Sequence, residues 1–287
     1  MVEIALCLAI IGFALVAIIG VLPTGLNVQT NNREETIINQ DASVWLDAMR
    51  NGAMGYDDLV NYVIAITNYV WAYEVTATRT NQVPVGLTGA QVPVPNPEVN
   101  VFMRNARYRN GVEVTTTPNF WLDSGWHIIG ILSRPRIEWV NPQRTGFYSN
   151  YIVANVRSMS GSVVDKFPQR NPVLLESAFS YRMVPEVFSY VPFYEGWTNY
   201  TAVPTNFESD FISRSNQWRI AGMLQTNLHD VRLLFRWPLL PNGDTGNGRQ
   251  PFRLMVGGKL YRTNDFYSGL PDFPLYFFQP STYAQAP

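Results

Sequence analysis

The sequence predicts an α+β protein in which one long, kinked, hydrophobic N-terminal helix precedes a β-rich globular head. Two observations predict this fold class. Residues 4–26 form an apolar run without any charged side chain. The later chain alternates short aromatic and β-branched runs with turn residues, and the 287 residues include 16 Phe, 15 Tyr, 20 Pro and 20 Gly. Because aromatic and β-branched side chains favour strands while Pro and Gly favour turns, we divide the chain into a hydrophobic helix over 1–52 and a head over 53–287.

The apolar run is long enough to cross a membrane. As a helix its residues would extend about 35 Å, and the hydrocarbon core of a bilayer is about 30 Å thick. Gly20, Pro23 and Gly25 weaken the helix, because glycine is flexible and proline lacks the N–H of one backbone hydrogen bond. The sequence therefore predicts a kink or break between Gly20 and Gly25.

The helix is predicted to continue beyond the apolar run, to about residue 50. Apolar side chains recur there at helical spacing, which indicates a face packed on the head. These residues are Ile37, Ile38, Trp45, Ala48 and Met49. Gly52 and Gly55 end the helix, and a second, shorter helix is predicted over 57–67, capped by Asp57 or Asp58.

Charge around the apolar run bears on three interpretations: a secretory signal peptide, a plain membrane anchor and a helix that assembles with other copies. A signal peptide has a basic segment before its apolar core, and an anchor commonly has Lys or Arg at its cytoplasmic edge. Here the acidic Glu3 precedes the run, and the first basic residue is Arg33. A carboxylate beside an apolar helix usually has a partner, which favours assembly.

The opening sequence MVEIALCLAIIGFALVAIIGVLP resembles the N-terminus of type IV pilins and of the pseudopilins of type II secretion systems. In that family a prepilin peptidase removes a short basic leader, the new N-terminal amine is methylated, and a glutamate close behind it meets the amine of a neighbouring subunit. Glu3 matches this glutamate, and Gly12 matches the glycine within the apolar run. Only Met1 and Val2 precede Glu3, whereas the family usually has four residues there.

The resemblance implies a structural subunit of an extracellular type IV pilus-like filament, with a pilin-like head. Such subunits reside in the inner membrane before assembly. Pilus assembly machinery then polymerises them into a helical filament of identical subunits on the cell surface. The residues implicated in assembly are Glu3, Met1, Gly12, Gly20, Pro23 and Gly25. Two alternatives remain open: a minor pseudopilin of a type II secretion system and a membrane-anchored surface protein.

In the head, several short runs have the composition of strands. They are 126–132, 136–140, 150–158, 173–181, 231–240, 251–256 and 259–262. The clearest hairpin pairs 231–240 with the run that begins at 251, because Leu233, Phe235 and Trp237 alternate with more polar neighbours. A proline-rich loop over 80–98 and an aromatic C-terminal tail over 265–287 are predicted to be extended, and we expect at least one of them to pack on a neighbouring subunit. Otherwise six apolar side chains of these segments would be exposed to water: Val83, Val92, Val94, Phe266, Tyr276 and Phe277.

Composition and motifs argue against a chemical role. The 21 basic and 22 acidic residues balance, so no nucleic-acid partner is expected, although Arg104, Arg107 and Arg109 lie close together. The single cysteine, Cys7, excludes an intrachain disulfide and a cysteine-based metal site. The two histidines, at 127 and 229, lie outside any catalytic motif, so neither an enzymatic activity nor a cofactor is expected.

Two further features of the head have competing interpretations. The turn NGDTGNG offers Asn242, Asp244 and Asn247 as oxygen ligands for calcium, but it contains one carboxylate, and a plain hairpin loop is favoured. Asn199 begins an Asn-Tyr-Thr glycosylation sequon, a triplet that also arises often by chance.

Overall fold

The computed structural model describes residues 2–52, 55–75, 89–90, 98–103, 108–109, 112–113, 120–122, 124–139, 146–160, 179–190, 219–264 and 274–283. The helices are α1 (Val2–Arg50), a 3-10 helix (Asp57–Asn61), α2 (Gly125–Leu132) and α3 (219–227). The strands are β1 (Val63–Val75), β2 (Gly89–Ala90), β3 (Glu98–Met103), β4 (Tyr108–Arg109), β5 (Val112–Glu113), β6 (Phe120–Trp121), β7 (Ile137–Trp139), β8 (Gly146–Arg157), β9 (Ser180–Ser189), β10 (Leu228–Leu239), β11 (Thr245–Gly257), β12 (Lys259–Asn264) and β13 (Pro274–Gln279).

One large sheet dominates the described part of the chain. Seven of its strands follow the order β11-β10-β9-β8-β1-β3-β6, while β2 pairs with β1 and β7 with β8. The described pairings are antiparallel except for β3 with β6. Two ribbons, β12-β13 and β4-β5, stand apart from it.

The hairpin of β10 and β11 has the alternation that the sequence predicts. Leu233, Phe235 and Trp237 are buried, whereas Arg232 and Arg236 are exposed. Because successive side chains of a strand point to opposite sides, this pattern separates an inner face, which carries the core, from an outer face. The structure confirms five of the predicted strands. They are 136–140 (β7), 150–158 (β8), 231–240 (β10), 251–256 (β11) and 259–262 (β12).

The core lies between the inner face, the second half of α1 and α2. The helical stripe of α1 predicted from the sequence is confirmed, since Ile37, Ile38, Trp45, Ala48 and Met49 are all buried. On the other side of α2 lies β13, where Phe277 stacks on Trp126 with ring centroids 4.8 Å apart.

Helix α2 occupies a run that the sequence predicts as a strand, 126–132, so that prediction is wrong. The Oγ atom of Ser124 caps the helix by accepting a hydrogen bond from the N–H of His127 at 3.3 Å. Gly130 permits close approach to β13, because a Cβ atom there would lie 2.7 Å from Cζ of Phe277. A short apolar run suits a buried strand or a buried helix equally well, which explains the error.

The predicted fold class, α+β with a long kinked helix before a pilin-like head, is wrong. The described chain is mainly β and is organised by one large antiparallel sheet. Helix α1 is continuous from Val2 to Arg50, so the predicted break between Gly20 and Gly25 is absent. Pro23 removes only one backbone hydrogen bond, and its fixed φ is close to the helical value, so the helix passes through it.

The second predicted helix and the tail also differ from expectation. Helical structure ends at Asn61 rather than at 67, because the β-branched and aromatic residues that follow form β1. In the predicted tail, Tyr276 and Phe277 are buried in the chain's own fold instead of bare. Most of the loop predicted over 80–98 and of the strand predicted over 173–181, and the rest of the tail predicted over 265–287, lie outside the described part. The residues concerned are 80–88, 91–97, 173–178, 265–273 and 284–287. Of the strand predicted over 173–181, residues 180 and 181 belong to β9.

Candidate functional site

The first half of α1 carries large apolar side chains that nothing in the described chain covers. Eleven of them, from Val2 to Ile19, are 53–81% exposed. They are Val2, Ile4, Leu6, Leu8, Ile10, Ile11, Phe13, Leu15, Val16, Ile18 and Ile19. At 100° per residue they occur on every side of the helix rather than along one stripe. A helix that is apolar all round is normally enclosed all round, so this half of α1 has the composition of a buried element.

The structure places two of the residues implicated in assembly on this uncovered half. Glu3 lies in the first turn of α1 and is exposed. Gly12 leaves an open patch on the helix, since a Cβ atom there would meet no other atom within 4 Å. Gly20, Pro23 and Gly25 belong to the continuous backbone of α1, and Met1 lies outside the described residues.

Among the residues that the structure describes, no helix has the combined length and apolarity of a membrane span.

The second half of α1, called its packed half because its buried stripe contacts the sheet, is fixed to the sheet at Asp41, which is fully buried. Its Oδ2 atom accepts hydrogen bonds from the N–H of Met159 at 2.9 Å and from the hydroxyl of Tyr181 at 3.1 Å. Its Oδ1 atom accepts one from the hydroxyl of Ser160 at 2.7 Å. The Tyr181 oxygen in turn accepts a hydrogen bond from Nε1 of Trp45 at 3.0 Å. Two residues one helical turn apart, Asp41 and Trp45, therefore join α1 to β9 and to the segment that follows β8.

Burial governs the ionisation of this network. Burial raises the pKa of Asp41, although the hydrogen bonds from Ser160, Met159 and Tyr181 act in the opposite direction. Burial, together with the charge of Asp41, raises the pKa of Tyr181 well above its usual value. The Tyr181 hydroxyl therefore keeps its proton and remains a donor to Asp41.

The two histidines lie in separate buried places. Nδ1 of His127 is 3.2 Å from Oγ of Ser124 at the start of α2. His229 lies on the inner side of β10, edge-on to Phe278 with ring centroids 5.3 Å apart, and burial lowers its pKa to about 4.

Asp230, the sequence neighbour of His229, points to the outer face instead. There its carboxylate accepts hydrogen bonds from Arg232 and Arg253. His229 and Asp230 therefore do not form the hydrogen-bonded pair that a catalytic triad requires.

The predicted calcium ligands are placed in and after the turn between β10 and β11. Nδ2 of Asn242 donates to Oδ2 of Asp244 at 2.7 Å, and the N–H of Asp244 donates to Oδ1 of Asn242 at 3.0 Å. These bonds are typical of a turn stabilised by its own polar side chains. Asn247 lies apart from them, exposed within β11. Over the described residues, no group of three or more His, Cys, Asp or Glu side chains could hold a metal ion.

The remaining candidate residues fall mostly outside the described chain. Asn199, Arg104 and Arg107 lie in segments that are not described, and Arg109 belongs to β4.

The polar anchor at Asp41 was missed by the sequence prediction. The available signal was an acidic residue within a stripe of buried apolar positions, one turn before a buried tryptophan. Its partners Ser160 and Tyr181 lie 119 and 140 residues further along the chain, so no local pattern identifies them.

The fold and the site together define a mainly β protein with a firmly attached and largely uncovered apolar helix. Comparisons with protein-family models, curated proteins and solved structures find no match to this chain.

Proposed function

We propose that this chain is a structural subunit of an extracellular, type IV pilus-like filament and that it polymerises through α1. The observation that carries the proposal is the uncovered apolar half of α1. Burying one such side chain completely contributes about 1.5–3 kcal/mol, so enclosing these partly exposed ones would contribute on the order of 10–20 kcal/mol before the costs of association. A bundle of α1 helices from neighbouring subunits would cover all their sides at once.

The firm attachment of α1 favours a filament over a plain anchor. An anchor needs only to keep the head near a membrane, and a flexible linker is enough for that. A helical filament requires every head to have the same orientation relative to its helix. The buried stripe of α1 and the hydrogen bonds of Asp41 and Trp45 supply such a fixed orientation.

The N-terminal sequence supports the same proposal. Glu3 stands at the start of the uncovered half, where a bundle would surround it with apolar side chains. A carboxylate in such surroundings requires a partner, and the N-terminal amine of an adjacent subunit would supply one. Under this proposal the chain is processed by a prepilin peptidase, resides in the inner membrane before assembly, and has no catalytic role.

Electron microscopy of the purified full chain tests the proposal. We expect filaments in which α1 helices pack around the axis. Leu8→Asp and Phe13→Asp introduce a charge into the bundle and should abolish filaments while leaving the melting temperature of the head unchanged. Ser43→Asp is the matched control, because Ser43 is exposed on the packed half of α1, and filaments should persist.

Two results would contradict the proposal. The first is a wild-type chain that stays monomeric after detergent removal and inserts α1 into lipid, which is the behaviour of a membrane-anchored surface protein. The second is a normal filament yield from both Leu8→Asp and Phe13→Asp.

A further inference from the structure

Three arginines form a row across the outer face of the sheet, on the side opposite α1. Arg236 on β10 lies directly opposite Arg249 on β11 and Arg182 on β9. Directly opposed residues of antiparallel strands point to the same side, and Phe235 and Trp237 occupy the inner side. Neighbouring strands are about 4.8 Å apart, so these three positions, called the arginine row below, span about 10 Å.

No carboxylate of the described chain pairs with the arginine row. Arg236 and Arg249 are exposed, and among the described residues they form neither an ion pair nor a side-chain hydrogen bond. Arg182 is held by uncharged groups, with its Nε atom 3.3 Å from Oδ1 of Asn155 and an Nη atom donating to the carbonyl oxygen of Gly243. Because like charges opposite one another disfavour strand pairing, an anion on this row would relieve a repulsion built into the sheet.

The next row on the same face carries no charge and consists of Val184, Leu234 and Pro251. The row after it, two rows from the arginine row, shows a different arrangement. Arg232 lies opposite Arg253 on one side and Glu186 on the other. Asp230 accepts hydrogen bonds from Nη2 of Arg232 and Nε of Arg253, both at 2.7 Å. Asp230 thus forms ion pairs with both arginines, and the carboxylate of Glu186 belongs to the residue directly opposite Arg232. The sheet therefore carries one neutralised row, which consists of Glu186, Arg232 and Arg253. In the arginine row, by contrast, Arg236 and Arg249 are exposed to solvent.

We propose that the arginine row binds a phosphate group. Guanidinium groups match the oxygens of phosphate and carboxylate in paired hydrogen bonds. Phosphate offers three acceptor oxygens and about −1.5 to −2 charge, whereas a carboxylate offers two oxygens and a single charge. Three guanidinium groups across about 10 Å therefore suit one phosphate or two linked phosphates.

A longer polyanion fits the row less well. The uncharged row of Val184, Leu234 and Pro251 bounds it on one side. The net charge of −1 gives the chain no long-range attraction for nucleic acid. The site also does not depend on filament formation, because the arginine row and α1 lie on opposite faces of the sheet.

Calorimetric titration of the full chain in micelles of an uncharged detergent tests the inference, with inorganic pyrophosphate as the probe. Arg236→Gln and Arg249→Gln should each weaken binding at least about tenfold, because each removes a pair of charge-assisted hydrogen bonds. Arg236→Lys keeps the charge but loses the planar fork, so its affinity should lie between those of the wild type and Arg236→Gln. The melting temperatures should match that of the wild type.

Two controls separate a site from a general charge effect. Arg219→Gln removes an exposed arginine of α3, and Arg232→Gln removes one from the neutralised row. Both should change the dissociation constant less than about twofold at 0.15 M salt, where charges are screened beyond about 8 Å. In a second arm, glycerol phosphate stands for a phosphate esterified on a lipid or polymer. Tighter binding of pyrophosphate would identify a free diphosphate, whereas equal binding would identify an esterified phosphate.

The inference is overturned if neither probe binds saturably or if Arg219→Gln weakens binding as much as the row variants do. It is also overturned if an oligodeoxythymidylate binds the row and pyrophosphate cannot displace it, because an extended polyanion would then be the ligand.

Discussion

Replacing Asp41 with alanine should loosen the packed half of α1 from the sheet. The carboxylate accepts hydrogen bonds from the N–H of Met159 and from the hydroxyls of Ser160 and Tyr181. A hydrogen bond to a charged group contributes about 1.5–3 kcal/mol, and a buried donor left without an acceptor costs about 1–3 kcal/mol. The contributions are not additive, because both hydroxyls can rotate. We therefore expect Asp41→Ala to lower the free energy of unfolding by about 3–5 kcal/mol.

Thermal unfolding and amide hydrogen exchange of the full chain in detergent measure this effect. A loss of 1 kcal/mol lowers the melting temperature of a chain of this size by about 2–4 °C, so Asp41→Ala should lower it by about 6–20 °C. Exchange should accelerate most at residues 37–50. Asp47→Ala is the control on the same helix, because Asp47 is exposed and its loss should cost less than about 0.5 kcal/mol. Equal stability of the two variants would refute the reasoning.

Asp41→Asn separates charge from hydrogen bonding at the same position. Burial raises the pKa of Asp41 above 3.8, so the folded state binds this proton more tightly than the unfolded state. The resulting stabilisation is complete below pH 3.8 and is lost as the pH rises through the folded pKa. The stability of the wild type relative to Asp41→Asn should therefore fall with rising pH across that window. A difference that stays constant with pH, measured by denaturant unfolding, would show that Asp41 does not titrate as burial requires.

Three further variants, one of them with a matched control variant, test other parts of the molecule. Glu3→Gln should reduce filament yield in electron micrographs without changing the melting temperature, and a normal yield would contradict the proposed pairing with a neighbouring amine. Because burial lowers the pKa of His229 to about 4, the wild type should lose up to about 3 kcal/mol of stability as the pH falls from 6.5 through 4. His229→Leu should lack this loss in acid titrations followed by fluorescence. If the variant loses as much stability in acid as the wild type does, His229 is not the source of the loss. Gly130→Ala should cost about 1–3 kcal/mol, because its Cβ atom would lie 2.7 Å from Phe277, whereas Gly222→Ala, with no atom within 4 Å, should melt no lower than the wild type.

Local periodicity predicted the elements whose two sides face different surroundings. In β10 the alternation of Leu233 and Phe235 with arginines gave the correct strand and the correct inner face. In the second half of α1 the helical spacing gave the correct buried stripe. Both segments are amphipathic, so their period shows in the sequence. In α2 every position from 127 to 132 is buried, so its sequence carries no period that distinguishes a helix from a strand.

Contacts between distant parts of the chain could not be read from the sequence. Asp41 meets Ser160 and Tyr181 only because α1 crosses the sheet at the ends of β8 and β9. The arginine row depends on register as well. Shifting β11 by one residue against β10 would move Arg249 to the inner face, and no local pattern fixes that register.

The two faces of the sheet should act independently, which permits a reciprocal test. The core binds α1 to the inner face, so in a filament with α1 helices at its centre the outer face, with Arg236, would point away from the axis. Arg236→Gln should then weaken pyrophosphate binding at least about tenfold and leave filament yield unchanged. Leu8→Asp should abolish filaments and leave pyrophosphate binding unchanged, because it alters α1 and leaves the sheet intact. A loss of filaments in Arg236→Gln would instead mean that the arginine row contacts a neighbouring subunit, whose carboxylates would then take the place assigned here to phosphate.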